Sequence, residues 1–178
     1  MIQWHQIESQ ASLYWDSLAL VYHTSFPIDE QRPIESIAHL IEFDERFVAY
    51  ALTDMTDTFI GLLTTWEFEK FVYIEHFAIT PTLRSQGYGT ETIKMLIARL
   101  NKPIILEAEP STDEQSIRRI RFYEHLGLTL YDFPYTQPAY TPEKCPVRLC
   151  LMGTIDANKE SIALVSKTLH KEVYSVKA

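Results

Sequence analysis

Apolar residues recur at two spacings along the chain, and the switches between them divide it into elements. Ile2 to Ile7 reads as an edge strand. Ser9 then offers a cap for an amphipathic helix carrying Leu13, Leu18, Leu20 and Val21, which Phe26-Pro27 ends. Around Pro33, the positions Ile34, Ile37, Leu40 and Ile41 return at helical spacing and predict a second helix from Gln31 to Phe43. Phe47 to Leu52 and Thr58 to Trp66 follow as strands, joined by the polar hairpin turn Thr53-Asp54-Met55-Thr56-Asp57. Tyr73 to Ile79, rich in β-branched and aromatic residues, predicts a further strand.

Downstream the pattern alternates between helix and strand. Thr90 to Leu100 places Ile93, Leu96, Ile97 and Leu100 on one helical face, and Asn101-Lys102-Pro103 breaks it. Ile104-Ile105-Leu106 is a short, buried strand, and the succession strand, helix, strand implies parallel pairing. Glu109 to Asp113 is a loop and helix entry, and the helix runs to about Leu126 with Gly127 as its cap. Leu128 to Tyr131 and Val147 to Met152 supply two more strands. Asp156 to about Val173, with Ile162, Leu164, Val165, Leu169 and Val173, predicts an added C-terminal helix. This is a mixed α/β (α+β) order. Across the 178 residues no Pro/Gly/Ser-rich or strongly charged stretch marks a linker, so residues 1–178 read as one domain.

The chemistry concentrates at one junction. Ala78-Ile79-Thr80-Pro81-Thr82-Leu83-Arg84-Ser85-Gln86-Gly87-Tyr88-Gly89-Thr90 runs from strand through a short loop and a glycine-bearing turn into a helix. Without a Cβ the chain turns tightly there, and the unpaired first-turn amides and the positive end of the helix dipole favour an anion. A pyrophosphate fits such a cradle. A dinucleotide is one candidate, since Gly87-x-Gly89 begins the G-x-G-x-x-G fingerprint and Glu107 falls about 20 residues later, where a ribose-binding acid belongs. Three features weigh against it: Thr92 stands at the third glycine position, Thr80 to Gln86 separates the strand from the first glycine, and no regular βαβα repetition follows.

Arg84-Ser85-Gln86-Gly87-Tyr88-Gly89 fits the pattern of Gln or Arg, two residues, Gly, one residue, then Gly or Ala. It thereby resembles motif A of the GCN5-related N-acetyltransferases (GNAT). Phe122-Tyr123-Glu124-His125-Leu126-Gly127-Leu128 looks like the helix end and strand start that carry this family's tyrosine, and together the two matches span about Phe71 to Tyr131. Phe26-Pro27 and the strand Leu149-Cys150-Leu151-Met152 are familiar in some of its branches. The resemblance implies a GNAT-like fold with a central twisted mixed sheet of about six to seven strands flanked by helices. The predicted C-terminal helix exceeds the family's minimal core. The resemblance also implies transfer of an acetyl group from acetyl-CoA directly to a primary amine of a small molecule or peptide.

That activity assigns expected roles. The amides of Gln86, Gly87, Tyr88, Gly89 and Thr90, in one loop with Ser85, would hold the pyrophosphate, with Arg84 and the Thr90 hydroxyl as supplements. The pantetheine arm would pair with main chain around Phe77 and Ile79, and an N–H near Phe77 or Ala78 would serve as oxyanion donor. Tyr123 is the candidate general acid for the departing thiolate; a cofactor-packing aromatic is the other reading. Glu75 is the candidate base, since it shares alternating parity with Tyr73, Phe77 and Ile79; an ion pair, a solvated sheet edge or a water chain in its place stays open. His76 would point to the opposite face unless a bulge reverses the order. The family commonly has Asn seven residues before its tyrosine and a small residue four before it. Here those positions are Ser116, which keeps a hydroxyl, and Arg119, which adds bulk and charge beside the cofactor. Arg118, Arg119 and Arg121 form either a solvated helix face or a hold on the CoA phosphates.

Composition narrows the partners. A net charge of −8 disfavours nonspecific nucleic-acid binding, which needs clustered cations. Cys145 and Cys150 are poor material for a disulfide framework, which suits a reduced cytoplasm, and neither stands where a covalent acetyl-enzyme would need it. The six histidines are dispersed without metal-ligand spacing, so no metal is expected. No apolar run approaches a membrane span, and Met1-Ile2-Gln3-Trp4-His5 has no export signature. In the loop from Asp132 to Pro146, Phe133, Tyr135, Gln137 and Tyr140 would line the acceptor pocket or form a homodimer contact. A noncatalytic acyl-CoA-binding module and a transferase for longer acyl chains are the alternatives.

Overall fold

Four strands in antiparallel succession form the sheet of the first of two units, Met1–Pro103 and Ile104–Ala178, in a computed structural model that describes residues 1–156 and 158–175. The strands are β1 (Gln3–Ile7), β2 (Phe47–Thr53), β3 (Phe59–Glu67) and β4 (Val72–Ile79), paired in that order. The turn between β2 and β3 is organised by Asp54, whose carboxylate accepts the N–H groups of Thr56 at 2.8 Å and Thr58 at 3.1 Å. Helix α1 (Trp15–Ser25) packs on β3 and β4, α2 (Ile34–Phe43) on β2, and α3 (Tyr88–Arg99) on β4. Leu18, Tyr22, Ile37, Leu62, Trp66, Tyr73 and Ile93 bury their side chains among these elements.

Two helix starts differ from the sequence reading. Ser9 to Tyr14 forms turns, with Ser12 N–H donating to the Ser9 carbonyl at 3.1 Å, and α1 begins only at Trp15. Its buried stripe is therefore Trp15, Leu18, Val21 and Tyr22, which leaves Leu13 and Leu20 exposed. α2 begins at Ile34 with Pro33 as its cap, because a proline pushes the residue before it out of the helical region.

In the second unit β8 (Val147–Gly153) is the common partner. It pairs antiparallel with β5 (Ile104–Ala108), with the two-residue β6 (Thr129–Leu130) and with β7 (Tyr135–Gln137). α4 (Glu114–His125) packs on β5 and β6. Its start is a capping box, in which Asp113 accepts the Ser116 N–H at 2.8 Å and Ser116 Oγ accepts the Asp113 N–H at 3.1 Å. Its end is a Schellman turn: Gly127 N–H reaches the Glu124 carbonyl at 3.0 Å, Leu128 N–H reaches that of Tyr123 at 3.1 Å, and Gly127 has φ +88°. The strand expected over Leu128 to Tyr131 shortens to β6, and β7 forms inside the stretch read as a loop. Among the described residues of the expected C-terminal helix, α5 runs Lys159–Thr168 and continues as a π-helical turn, Leu169–Val173. Ala157, within that expected span, lies outside the described residues. Ile162, Val165, Leu169 and Val173 are buried and Leu164 is exposed. Among the described residues, no helix is long and apolar enough to cross a membrane.

Candidate active site

The loop after β4 is built for main-chain donors. A 3-10 turn, Pro81–Leu83, is closed by Leu83 N–H to the Thr80 carbonyl at 2.8 Å, and Arg84 Nε donates back to the Ile79 carbonyl at 3.1 Å. Ser85 (φ +64°) and Gly87 (φ +88°) then take left-handed conformations that turn the chain into α3. A Cβ on Gly87 would have nothing within 4 Å, so conformation rather than crowding favours glycine here. The helix ladder opens with Glu91 N–H to the Gly87 carbonyl at 3.0 Å. Among the described residues, the main-chain N–H groups of Ser85, Gln86, Gly87, Tyr88, Gly89 and Thr90 donate to no acceptor within the protein. The loop is solvent-facing. A shallow groove of about 520 Å³ starts at Gly87 and Thr90 and follows α3 past Lys94 to Ala98.

Upstream, β4 is interrupted. Thr65 pairs with Ile74 and Thr64 with His76, so Glu75 has no partner in β3 and forms a bulge. Glu75 Oε1 accepts from Arg32 Nη2 at 2.8 Å and Nε at 3.1 Å, and the Glu75 side chain has no solvent exposure. Burial pushes this carboxyl up, but Arg32, His76 and the Trp66 indole N–H together outweigh it and hold the carboxyl below its usual range. A base role for Glu75 therefore finds no support in its surroundings, and of the readings left open for it the ion pair is the one the structure contains. His76 is buried as well, with Nε2 at 3.1 Å from the Glu30 carbonyl and 3.3 Å from the Tyr22 hydroxyl. A carbonyl has no proton to give, so the network assigns the ring proton to Nε2. Thr64 Oγ1 lies 3.4 Å from Nδ1. No site role is legible for Tyr22, Arg32 or Trp66 in the sequence, because only tertiary folding brings them to the bulge.

In the second unit, Ser116, Arg119 and Tyr123 lie along α4 at spacings that share one face. The Ser116 hydroxyl is taken up by the capping box, so its surroundings give it a structural task in place of the cofactor contact expected of it. Arg119 pairs with Glu109, and Arg118 with Glu114 on the surface. Tyr123 is 7% exposed, and its hydroxyl makes no hydrogen bond to another described residue. Burial pushes that hydroxyl up to about 12 against the opposing charge of Arg119, so it keeps its proton at neutral pH.

Glu107, considered above as a ribose ligand, instead accepts from two tyrosines. The Tyr135 hydroxyl donates to its Oε1 in a short contact, and the Tyr174 hydroxyl lies 2.9 Å from Oε2 and 3.1 Å from Oε1. Tyr135 and Gln137 are thus buried on β7 rather than lining an open pocket or an exposed contact, while Phe133 and Tyr140 stay half-buried. Among the described residues no group of three His, Cys, Asp or Glu side chains is placed to hold a metal ion.

The sequence profile of the family described as Acetyltransferase (GNAT) family matches residues 4–128. A solved structure of a GNAT-assigned protein from Bacteroides thetaiotaomicron superimposes with a TM-score of 0.91 at 32% identity, over 98% of this chain and 99% of that one. Spermidine N-acetyltransferase from Vibrio cholerae, solved with CoA and spermine, shares the fold at a TM-score of 0.59 and 13% identity, over 85% of this chain and 94% of that one. YjbC of Bacillus subtilis, described as an acetyltransferase, is 37% identical over 60 residues, which is 33% of this chain and 31% of YjbC. That match thus spans less than a third of YjbC's own length.

Proposed function

This chain belongs to the GNAT family of acetyltransferases, and from that premise we propose that it transfers the acetyl group of acetyl-CoA directly to a primary amine of a small molecule or peptide. The observation that carries this reading is the run of main-chain N–H groups from Ser85 to Thr90, turned into α3 by Gly87 and donating to no acceptor among the described residues. Such donors at a helix start suit the diphosphate of CoA. Arg84 is tied through Nε to the end of β4, which steadies the loop, and its other guanidinium N–H groups and the Thr90 hydroxyl would supplement the donors. The pantetheine amides would pair with main chain at Phe77 and Ile79, and an N–H at Phe77 or Ala78 would take the oxyanion.

In the reaction the amine nitrogen bonds to the acyl carbon, the C–S bond breaks, and the sulfur leaves with the electron pair. Tyr123 gives its hydroxyl proton to that sulfur and recovers one from solvent. The surplus proton of the new ammonium passes to water, since Glu75 is already engaged on both carboxylate oxygens. Ser116 sets the start of α4, and through it the placement of Tyr123. Arg119 adds a cation to the same helix face, as the resemblance placed it beside the cofactor. The profile match runs through the division at Pro103 and Ile104, which supports treating both units as one functional domain. A cytoplasmic location suits Cys145 and Cys150, which form no disulfide, and sedimentation would tell a homodimer from a monomer.

The test is titration calorimetry with CoA, followed by a panel of primary amines with acetyl-CoA, read as free thiol release against a no-amine control. Binding of CoA together with one efficient acceptor is the expected result. Binding without turnover of any amine would favour the noncatalytic module, and a donor series of longer acyl-CoA thioesters checks acyl length. Absence of CoA binding by the folded protein would remove the reading.

A further inference from the structure

Two consecutive residues of one strand hold the same connection between helices. Side chains at adjacent positions of a regular strand point to opposite faces, so Glu75 and His76 should not engage one segment. The bulge at Glu75 re-aims them. Glu75 takes the guanidinium of Arg32 and His76 faces the carbonyl of Glu30, so both fasten the connection from Phe26 to Pro33 that links α1 to α2. The same connection is tied to α1 by two further groups. The Gln31 amide donates to the carbonyls of Phe26 at 2.7 Å and His23 at 3.2 Å. The Tyr22 hydroxyl oxygen accepts the Arg32 N–H at 2.6 Å. The Phe26 ring stands 4.9 Å from that of His76. Pro27 and Pro33 bracket the segment with fixed φ.

We propose that Arg32 is a positioning residue, which with Glu75 locks the Phe26–Pro33 connection onto the β4 bulge so that it forms a fixed wall on the acceptor side of the reacting centre. This rests on the acetyltransferase reading, in which Phe77 and Ala78, the next residues of β4, face the thioester. A buried ion pair is a poor source of net stability, because desolvating both charges offsets most of their attraction, and its best-attested use is to fix one arrangement among several. The pair here is set up for that use. Arg32 offers a planar fork, with Nε and Nη2 on one carboxylate oxygen, while Trp66 satisfies the other oxygen. The Arg32 side chain is 12% exposed, so the tie is shielded from solvent. An acceptor approaching β4 would then meet a connection held in one conformation.

The experiment compares wild type, Arg32→Met, Glu75→Gln and the double variant, by hydrogen exchange over residues 26–33, thermal melting and calorimetry with CoA. Each single variant removes one member of the buried pair and leaves the other charge without it, which lowers the melting temperature. The double variant removes both charges together, and its melting temperature returns to within about 4 °C of wild type. Its amides in residues 26–33 nonetheless exchange at least about tenfold faster than in wild type, while CoA affinity stays within about twofold. With the best amine of the panel, the acceptor KM rises about tenfold or more and kcat changes less than about threefold. Arg32→Lys, which keeps the charge but not the fork, recovers part of the protection. A double variant with wild-type exchange in 26–33, or with wild-type acceptor KM, overturns the proposal while leaving the acetyltransferase reading in place. If wild type fails to bind CoA, the acetyltransferase reading falls, and the acceptor wall with it.

Discussion

The indole Nε1 of Trp66 donates to Glu75 Oε2 at 2.7 Å, and this bond takes the carboxylate oxygen that Arg32 leaves. Removing a donor from a buried anion is costly. Trp66 is 1% exposed and packs edge-on against Phe47 at 5.2 Å, so Trp66→Phe keeps an aromatic ring in the core while removing the donor. The expected loss is about 2–4 kcal/mol of unfolding free energy, from the bond to a charged group and the lost ring volume. Urea denaturation checks it, and a loss under about 1 kcal/mol would mean that the bond contributes little.

Acid should expose the same group. The folded Glu75 carboxyl titrates below its unfolded value, which is near 4.3. Its contribution is therefore complete above that value and lost as the pH falls through the lower, folded one. Wild type should lose stability as the pH falls below the unfolded value and through the lower, folded one, while Glu75→Gln, already weaker at pH 7, should show a flatter acid limb. Urea midpoints across that range decide the matter; parallel curves would place the titrating group elsewhere.

Gly87 and Gly127 share φ +88°, and neither would crowd an added Cβ. An alanine at either position carries roughly 1–2 kcal/mol of left-handed strain. Gly127→Ala should show it as lost stability alone, because Gly127 closes α4. Gly87→Ala should show it in the ligand: a loop that relaxes when empty must be forced back, which weakens CoA binding about tenfold. Calorimetry and melting of the two variants side by side separate these outcomes.

Tyr123→Phe removes a hydroxyl whose proton burial retains and which makes no hydrogen bond to another described residue. We expect CoA affinity within about threefold of wild type and acetyl transfer slower by about a hundredfold, the lower range of general-acid contributions. Thiol-release kinetics at saturating acetyl-CoA give the answer. An unchanged rate would leave Tyr123 a packing residue.

How far the chain could be read from its residues depended on the range of the interactions. The strand, turn and helix start around Gly87 were legible because local conformational needs fix them, and so was the Gly127 cap. The start of α1 was not. Ser9 has cap chemistry, but which stripe of the helix is buried was settled by the sheet it packs on, which favoured Trp15 and Tyr22 over Leu13 and Leu20. β7 escaped notice because three residues, Tyr135–Gln137, carry too little pattern and owe their form to pairing with β8. At Glu75 the alternation rule failed for a reason outside the strand itself. The bulge brings Arg32 into reach from 43 positions away, and no spacing in the sequence announces that pair.

The twin tyrosine contacts of Glu107 also bear on how the second unit assembles. One donor, Tyr135, lies 28 positions along the chain and the other, Tyr174, lies 67, so the carboxylate's surroundings are completed by closing a long loop. The short-range bond can form early, whereas the distant one waits for the turn Leu169–Val173 to dock. A chain cut before Tyr174 would leave that acid without one of its tyrosine donors, and such a truncated product should be prone to misassembly long before any loss of the loop at Gly87.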